Sequence, residues 1–365
     1  MRGIRNYWVA CGVMAGFSQG GGVGLALANW MVEGNPGFDV WAMDVARYGE
    51  WATLAYTNAK VRENYSRRFR IRFPNEELTA ARPHRTTPIY DRLKGENAVF
   101  GDSYGLEHPL WFAPKGTDPV EDITFRRSNA FPHVAEEVRT VRERVGLMEI
   151  SGYAKYEVSR EGAEAYLSRI MANRMPAQGR IVLTPMLNRE GKLIGDFTVG
   201  KLGPERFLVV GSGPAEAYHM RWFLEQKAEK GVRVAACGQT LQGLSVAGPK
   251  ARELLQSLTH VDLSTPAFPF LAIREMDLGP IPCIVGRITF TGDLGYEIWV
   301  SPEYQRALFD LLWAKGQALG IGHFGGRALN AMRLEKSFGT WAREYRPIYG
   351  PYEAGLGRFV DLTKN

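Results

Sequence analysis

The stretch "RIVLTPMLNREGKLIGDFTVGKL" limits the possible folds more than any other part of the sequence. Two runs rich in apolar residues flank "NREG", in which Asn188 and Gly191 favour a tight turn. The pattern predicts two antiparallel strands joined as a hairpin. A second pair of runs, "IPCIVGRITF" and "YEIWVS", flanks the turn "TGDLG" in the same way.

Helical segments separate the predicted strands. Val134, Val138, Val141 and Val145 recur at 4-3-4 spacing, which indicates an amphipathic helix. Further helices are predicted at 161–173, 214–230, 249–258, 303–319 and 327–338, and further strands in "AKYEVSR", "RFLVVGS", "VRVAACG" and "QGLSVAG". Because the strands come in hairpins rather than in regular βαβ units, we predict an α+β fold with mostly antiparallel sheets and packed helices.

The first 95 residues follow a different pattern. A glycine-rich loop is predicted in "GFSQGGGVG", followed by a helix over residues 23–32 that Gly34, Asn35 and Pro36 end. A second helix is expected over residues 47–67, with a short strand in "FRIRFP" and an extended linker in "RPHRTTPIYD".

The net charge of +6 over 365 residues is unevenly distributed. Ten basic and four acidic residues lie between Lys60 and Lys94, which we interpret as a solvated basic face or a docking surface for acidic parts of a partner. No nucleic-acid recognition motif accompanies this charge. No metal-ligand spacing and no disulfide framework is found among the three cysteines and six histidines. Without a membrane-length apolar run or a signal-peptide pattern, we expect a cytoplasmic protein that binds neither membrane nor nucleic acid.

Three glycines in the predicted N-terminal loop, Gly20, Gly21 and Gly22, would let a ligand approach the backbone closely. The helix after them would direct free N–H groups at a reduced flavin, which carries negative charge. The spacing is not G-x-G-x-x-G, so a glycine turn that packs a helix against a sheet stays open as the alternative.

Two carboxylates on predicted strands are candidates for chemistry. Asp196 follows the "NREG" turn among apolar neighbours, where it is either a structural carboxylate or a base in a cleft. Glu297 follows the "TGDLG" turn and is either paired with Arg327 or Arg333, or bound to two parallel N–H groups of a planar heterocycle such as a pterin.

In combination these segments resemble the dimethylglycine and sarcosine dehydrogenase/oxidase family. Its members are flavin-dependent amine oxidoreductases with a folate-binding region like the aminomethyltransferase, or T-protein, of glycine cleavage. "GFSQGGGVGLALANWMVEGNP" is similar to a flavin-contacting part of that family, and "RIRFPNEELTAARPHRTTPIYDRLKGENAVFGDSYGLEHPLWFAP" to its joining segment. "LTPMLNREGKLIGDFTV", "TFTGDLGYE" and "GGRALNAMRLEKSFGTWARE" are similar to folate-region motifs.

The resemblance implies roles for particular residues. Asp196 falls on the catalytic aspartate beside the folate amine nitrogens, and Glu297 on the glutamate that binds the pterin edge. Arg327 falls on a folate-contacting arginine, and Tyr296 is expected to add a stacking or hydroxyl contact. The three loop glycines are expected to contact FAD, and tetrahydrofolate is the second expected cofactor.

The resemblance also implies parts that this sequence lacks, among them the phosphate-cradling glycine motif and the flavin-attachment histidine. We therefore expect an internal piece of a longer enzyme, or one subunit of a split enzyme, whose partner supplies the FAD domain. The expected division is an edge of the FAD domain at 1–35, a joining segment at 36–95 and a folate-binding region at 96–365 without its terminal β-barrel.

The implied function is oxidation of an N-methyl amine by flavin, with transfer of the one-carbon unit to tetrahydrofolate as 5,10-methylenetetrahydrofolate. The sequence does not identify the amine or distinguish a dehydrogenase from an oxidase. A stand-alone folate-dependent aminomethyl or methyl transferase and a non-catalytic scaffold subunit stay open as alternatives.

Overall fold

A computed structural model describes residues 6–13, 16–226, 231–341 and 343–364. The described helices are α1 Gly16–Glu33, α2 Leu54–Ser66, α3 Tyr90–Gly95, α4 Ala130–Glu143, α5 Ala163–Ile170, α6 Glu216–Glu225, α7 Ala251–Gln256, α8 Pro302–Gly316 and α9 Gly326–Glu335. The described strands are β1 Ala98–Ser103, β2 Leu106–Phe112, β3 Val145–Glu149, β4 Ala154–Ser159, β5 Ile181–Leu187, β6 Leu193–Gly203, β7 Arg206–Gly211, β8 Arg233–Ala236, β9 Gln242–Ala247, β10 Ile273–Leu278, β11 Ile281–Gly286, β12 Gly295–Val300 and β13 Ile321–His323.

Two sheets organise the part of the chain after α4. One has six strands in the order β10-β11-β12-β9-β3-β13, and the other has five in the order β5-β6-β7-β4-β8. Every pairing in them is antiparallel except that of β13 with β3. A separate hairpin, β1-β2, precedes them.

Each sheet buries one face against helices. Alternate residues of β12, such as Tyr296 and Ile298, pack with Leu254 of α7 and Leu308 of α8. Alternate residues of the five-stranded sheet pack with Tyr166 of α5 and with α6 in a second core. Both patterns follow from the two-residue repeat of a strand, which sends successive side chains to opposite faces.

The other faces of the two sheets meet in a third core. Leu208 and Val210 of β7 contact the same cluster as Trp299 of β12 and Met148 of β3, and side chains of α4 and α9 close it. We call this region the inter-sheet gap. The side chains of β6, β7 and β12 that point away from the helices therefore lie between the sheets.

The predicted α+β class, the antiparallel hairpins and most central and C-terminal elements are confirmed. The strands β1, β2, β3, β10 and β13 were not predicted, and Val145 belongs to β3 rather than to the helix assigned to it. The predicted strand in "FRIRFP" is wrong, because this segment has no neighbouring strand and exposes Phe69 and Ile71. The predicted helix over 47–67 is shorter, since Thr53 caps α2 by accepting from the backbone N–H of Tyr56.

Gly248, just after β9, offers a test of the packing between that strand and α4. Its φ is +126°, and a Cβ there would lie 2.5 Å from the Val141 carbonyl oxygen and 2.6 Å from that of Arg144. We expect Gly248→Ala to lower the free energy of unfolding by about 2–4 kcal/mol, because backbone conformation and space both exclude a side chain. Denaturant unfolding measures the change. Gly95→Ala is the control, since Gly95 has open space around it; a similar loss in both variants would contradict the explanation.

Candidate functional site

Glu297 lies in the middle of β12 and points away from the helices, toward the inter-sheet gap. It is 8% exposed and sits opposite Ser245 of β9 and Gly286 of β11. With Trp299 and Thr198 it lines a narrow cavity of about 10 Å³, roughly the space of one water molecule. The sequence therefore places a carboxylate at a point where two sheets meet.

Within the described residues no hydrogen bond or ion pair reaches the Glu297 carboxyl group. The alternative of an internal ion pair is wrong for both arginines considered. Arg333 is held by Glu344 at 3.1 Å and by Asn330 at 2.8 Å, and Arg327 pairs with Glu121 at 2.5 Å. Burial without a partner raises the pKa of Glu297 to about 8.

Asp196 lies on β6 and shares its strand face with Thr198, which lines the same cavity as Glu297. Its Oδ1 is fully enclosed and has no hydrogen-bond partner. Burial raises the pKa of Asp196 to about 7, opposed in part by its own backbone N–H. Asp196 and Glu297 thus lie on different sheets, each on the face turned away from its helices. Both carboxyl groups are without partners among the described residues, and both have pKa values near neutrality.

The structure corrects the role expected of Tyr296. Its side chain is fully buried on the helix face of β12, where it packs against Phe268, and Arg252 approaches its hydroxyl at 3.4 Å. Because neighbouring residues of a strand point to opposite faces, Tyr296 and Glu297 do not share a site.

Arg327 does not join the two carboxyl groups either. It lies in the first turn of α9 and lines a separate cavity of about 220 Å³ together with Arg126, Arg127 and Glu121. Its guanidinium is already paired with Glu121, a residue that lies far from it in the sequence.

The glycine-rich loop is a correction as well. Gly20, Gly21 and Gly22 lie inside α1, which begins at Gly16, so there is no loop at this point. All three are exposed, and no atom lies within 4 Å of the position that a Cβ would occupy. Inside a helix their N–H groups are used by the helix itself. These three glycines therefore form no cradle for a flavin.

Two residues that line the cavity were missed by the sequence analysis, Thr198 and Trp299. Each stands two positions after a predicted site residue on the same strand, so strand alternation alone would have identified them. Within the described ranges no cluster of three potential metal ligands occurs. No helix in those ranges combines the length and apolar character needed to cross a membrane.

Comparison with known proteins gives the family. Residues 89–364 match the family described as "GCVT N-terminal domain". The chain belongs to this family. Residues 33–87 match the FAD dependent oxidoreductase central domain, which precedes it along the chain. The exact division near residues 35 and 95 stays a prediction.

Named relatives resemble the chain over its whole length. It is 38% identical to mitochondrial dimethylglycine dehydrogenase of Mus musculus, covering 100% of this chain and 42% of that protein. It is 33% identical to 4-methylaminobutanoate oxidase (formaldehyde-forming) of Paenarthrobacter nicotinovorans, covering 99% of this chain and 44% of that protein. The chain thus spans less than half the length of these relatives, and the resemblance inferred from the motifs is confirmed.

A solved structure supports the fold. The glycine cleavage system aminomethyltransferase T from Bartonella henselae superposes with a TM-score of 0.62 at 20% identity, covering 76% of this chain and 70% of that one. At this identity the similarity establishes the fold alone.

The unpartnered state of Glu297 predicts a pH effect on stability. In the folded protein its pKa of about 8 lies above the ordinary value of 4.5. The contribution of Glu297 to the free energy of unfolding is therefore fully present below pH 4.5 and is lost as pH rises through 8. We expect the ligand-free Glu297→Gln variant to be more stable than the parent by about 1–4 kcal/mol at pH 9 and little changed at pH 5. Thermal or denaturant unfolding at both values measures this.

Glu137→Gln is the matched control for that experiment. Glu137 is also buried, with a pKa raised to about 7, but it accepts backbone N–H bonds from Phe112 and Gly325. Glutamine there would direct its amide N–H donor at one of these backbone N–H groups. We therefore expect the free energy of unfolding to fall by about 1–3 kcal/mol. If Glu297→Gln were destabilising to the same degree, Glu297 would have a structural partner.

Proposed function

We propose that this chain is the one-carbon-transfer part of an amine-demethylating oxidoreductase, and that it binds tetrahydrofolate between its two sheets. The observation that carries the proposal is a pair of unpartnered acidic groups, Asp196 and Glu297, on the two sheet faces that are turned away from the helices. A buried acceptor without a partner is costly to the folded protein and suits a ligand that brings its own donors. The wider assignment follows the named relatives, which are a dehydrogenase of dimethylglycine and a formaldehyde-forming oxidase.

Glu297 would recognise the pterin. A carboxylate has two oxygens that accept parallel N–H bonds, and a reduced pterin edge offers two such donors side by side. The raised pKa means that the free protein keeps Glu297 protonated at pH 7, so that binding in this geometry would release a proton.

Asp196 would act on the nucleophile. In the proposed reaction a folate amine nitrogen attacks the methylene carbon of an iminium; the C=N π electrons move to the iminium nitrogen, a C–N bond forms, and the attacking nitrogen becomes positively charged. The second folate nitrogen then displaces the demethylated amine, which leaves with a proton, and closes 5,10-methylenetetrahydrofolate. The nitrogen's proton must then leave, and a carboxylate with a pKa near 7 can accept it at neutral pH. Enclosure between the sheets would limit the competing attack by water, which yields formaldehyde.

Entry of the ligand requires movement. The cavity between Thr198 and Glu297 has a volume of about 10 Å³, far below the size of a pterin ring. The lining contains Gly200 and Gly286 and side chains such as Ile288. Displacement of these side chains, or separation of the two sheet faces, would have to accompany binding.

The three glycines expected to contact the flavin do not form a site for it. FAD would supply oxidation of the amine to the iminium, but Gly20, Gly21 and Gly22 lie inside α1 and form no cradle. We therefore assign this chain the folate half of the reaction and derive no step through the flavin. A cytoplasmic location, the methylated amine that serves as substrate and a partner domain or subunit that carries FAD remain parts of the proposal.

We expect Asp196→Asn to spare folate binding and to lower carbon transfer by about 10²–10⁴-fold, because the amide cannot accept the proton. The measurement is the rate of labelled 5,10-methylenetetrahydrofolate formation from a methyl-labelled amine, in the enzyme assembled with its flavin-binding part. Asp277→Asn is the control, since Asp277 is exposed on β10. An unchanged rate in Asp196→Asn would leave that residue a structural carboxyl group.

We expect tetrahydrofolate affinity to rise as pH increases from 6 to 9, because the Glu297 proton, held with a pKa of about 8, is then already lost. Glu297→Gln should bind about 10- to 100-fold more weakly near pH 8 and lose most of this pH dependence, corresponding to about 1–3 kcal/mol. Titration calorimetry in two buffers of different ionisation enthalpy measures both affinity and proton release. Equal affinity of the variant would place the pterin elsewhere.

A further inference from the structure

The strand that carries Asp196 is interrupted by a bulge two residues earlier. On β5 and β6, Met186 pairs with Gly195 and Leu187 pairs with Leu193, so Ile194 has no partner across the ladder. Pairing of β6 with its other neighbour, β7, begins only at Thr198. The segment just before Asp196 is therefore held less by sheet hydrogen bonds than the rest of the strand.

The bulge decides which way Asp196 points. Ile194 and Phe197 both pack in the core between the five-stranded sheet and its helices, although they are three residues apart. Alternation counted from Phe197 puts Asp196 on the face away from the core, whereas alternation counted from Ile194 would put Asp196 in the core. Without the extra residue, Ile194 and Phe197 could not both pack in the core. The extra residue shifts the alternation, so Asp196 lies on the opposite face with Thr198, which lines the inter-sheet gap.

A buried histidine donates a hydrogen bond to the backbone carbonyl of Ile194, which the bulge leaves without a partner on the neighbouring strand. His219 of α6 is fully buried, and its Nε2 lies 3.1 Å from the carbonyl oxygen of Ile194. Its Nδ1 lies 3.1 Å from the hydroxyl of Tyr156 on β4. The carbonyl can only accept, so Nε2 carries the hydrogen, and the neutral ring accepts at Nδ1 from the Tyr156 hydroxyl. Burial holds the pKa of His219 near 3, which keeps this neutral form over the physiological range.

Packing fixes the ring at the bulge. The His219 ring lies 4.7 Å from that of Phe197 and 5.5 Å from that of Trp341. Residue 195 must be small, because a Cβ at Gly195 would lie 2.7 Å from the Nε2 of His219 and 2.6 Å from the Phe197 ring. Three elements, β4, α6 and β6, thus meet at this one backbone carbonyl.

We propose that Tyr156 and His219 form a clamp that holds the Ile194 bulge and thereby keeps Asp196 turned toward the inter-sheet gap. They are positioning residues, since both act through the backbone of β6. The predicted effect on the rate of carbon transfer rests on the role proposed above for Asp196. The predicted effect on the pKa of the Asp196 carboxyl group does not.

The surroundings of Asp196 give a direct readout. The ionisable groups on the elements around it are the Tyr345 phenol, whose pKa is raised by burial and also by the Asp196 charge, Glu344 and Arg358 beside that phenol, and Glu297 on the opposing sheet. Arg358 is the only cation among these four described groups, and it acts on Tyr345. If the clamp is removed, the bulge can relax and let water reach the Asp196 carboxyl, which would lower its pKa toward the ordinary value of 3.8.

The test is an NMR titration of aspartate carboxyl carbons in the complete chain, with Asp196→Asn used for assignment. We expect an apparent pKa near 7 in the parent. Tyr156→Phe and His219→Leu should each lower it by about one unit or more. His219→Gln keeps an N–H donor near Nε2 and should restore most of the shift. His219→Leu removes a buried polar contact and could prevent folding. In that case the Asp196 pKa in Tyr156→Phe tests the clamp.

Tyr166→Phe is the matched control. Tyr166 is also fully buried in this core and donates to a backbone carbonyl, that of Phe223 at 2.7 Å, away from the bulge. The inference is overturned if Tyr156→Phe folds and keeps the parental Asp196 pKa, if Tyr166→Phe shifts it as much, or if the parent carboxyl titrates near 4.

Activity separates this inference from the proposed function. In the assembled enzyme, His219→Leu or Tyr156→Phe should lower kcat for carbon transfer about 10-fold or more, with tetrahydrofolate Kd within about 2-fold of the parent. The acid limb of the kcat profile should move to lower pH together with the Asp196 pKa. If the parent makes no tetrahydrofolate product while the NMR shifts occur as expected, the proposed function fails and the clamp stands.

Discussion

Burial of a carboxyl group without a hydrogen-bond partner is the constraint on which the site depends. Ionising such a group costs free energy, because its charge loses contact with water and gains no donor. Its pKa therefore rises, and the folded protein loses stability with increasing pH. Asp196 and Glu297 both have this property and come from different sheets. A fold under selection for stability alone has simple remedies available, such as an arginine or an amide. Among the described residues, no arginine or amide side chain lines the cavity beside Glu297, which supports the proposed ligand with its own donors.

Strand alternation distributes structural and functional duties along each strand of the site. On β12, Tyr296 and Ile298 build the core against the helices, while Glu297 and Trp299 face the gap. On β7, Phe207 faces its helices and Leu208 faces the gap. The two sheets can therefore carry a binding surface without losing their hydrophobic cores, because only one face of each sheet packs against helices.

The elements that the sequence predicted best are those with a local cause. Hairpins with a polar turn and apolar flanks determine their own partners, so the strands around Asn188 and Gly191 were found, and Asp196 and Glu297 were placed on strands correctly. The strand β13 was missed because it is three residues long and pairs in parallel with β3, which is distant in sequence. Its partner is invisible to a local pattern.

The errors in the site have similar origins. Arg327 was expected near Glu297 because both lie in motifs of one region, yet its ion-pair partner is Glu121, on a loop before α4. The glycine-rich segment was read as a loop because glycine weakens helices, but α1 continues through it. Alternation along β12 puts Tyr296 and Glu297 on opposite faces, so the face of Tyr296 follows from the strand assignment alone.

The bulge at Ile194 connects the site to the core on the opposite face of the sheet. Counting by twos from Ile194 would place Asp196 in the core, whereas counting from Phe197 places it on the opposite face, and one extra residue in β6 lets both apolar residues pack in the core. That extra residue leaves a carbonyl outside the ladder, and a buried carbonyl needs a donor. His219 supplies the donor from α6, which packs on the five-stranded sheet, and Tyr156 fixes its tautomer. The orientation of a single acidic side chain is thus set by a hydrogen-bond chain running through the opposite core, which explains why a fully buried histidine is tolerated there.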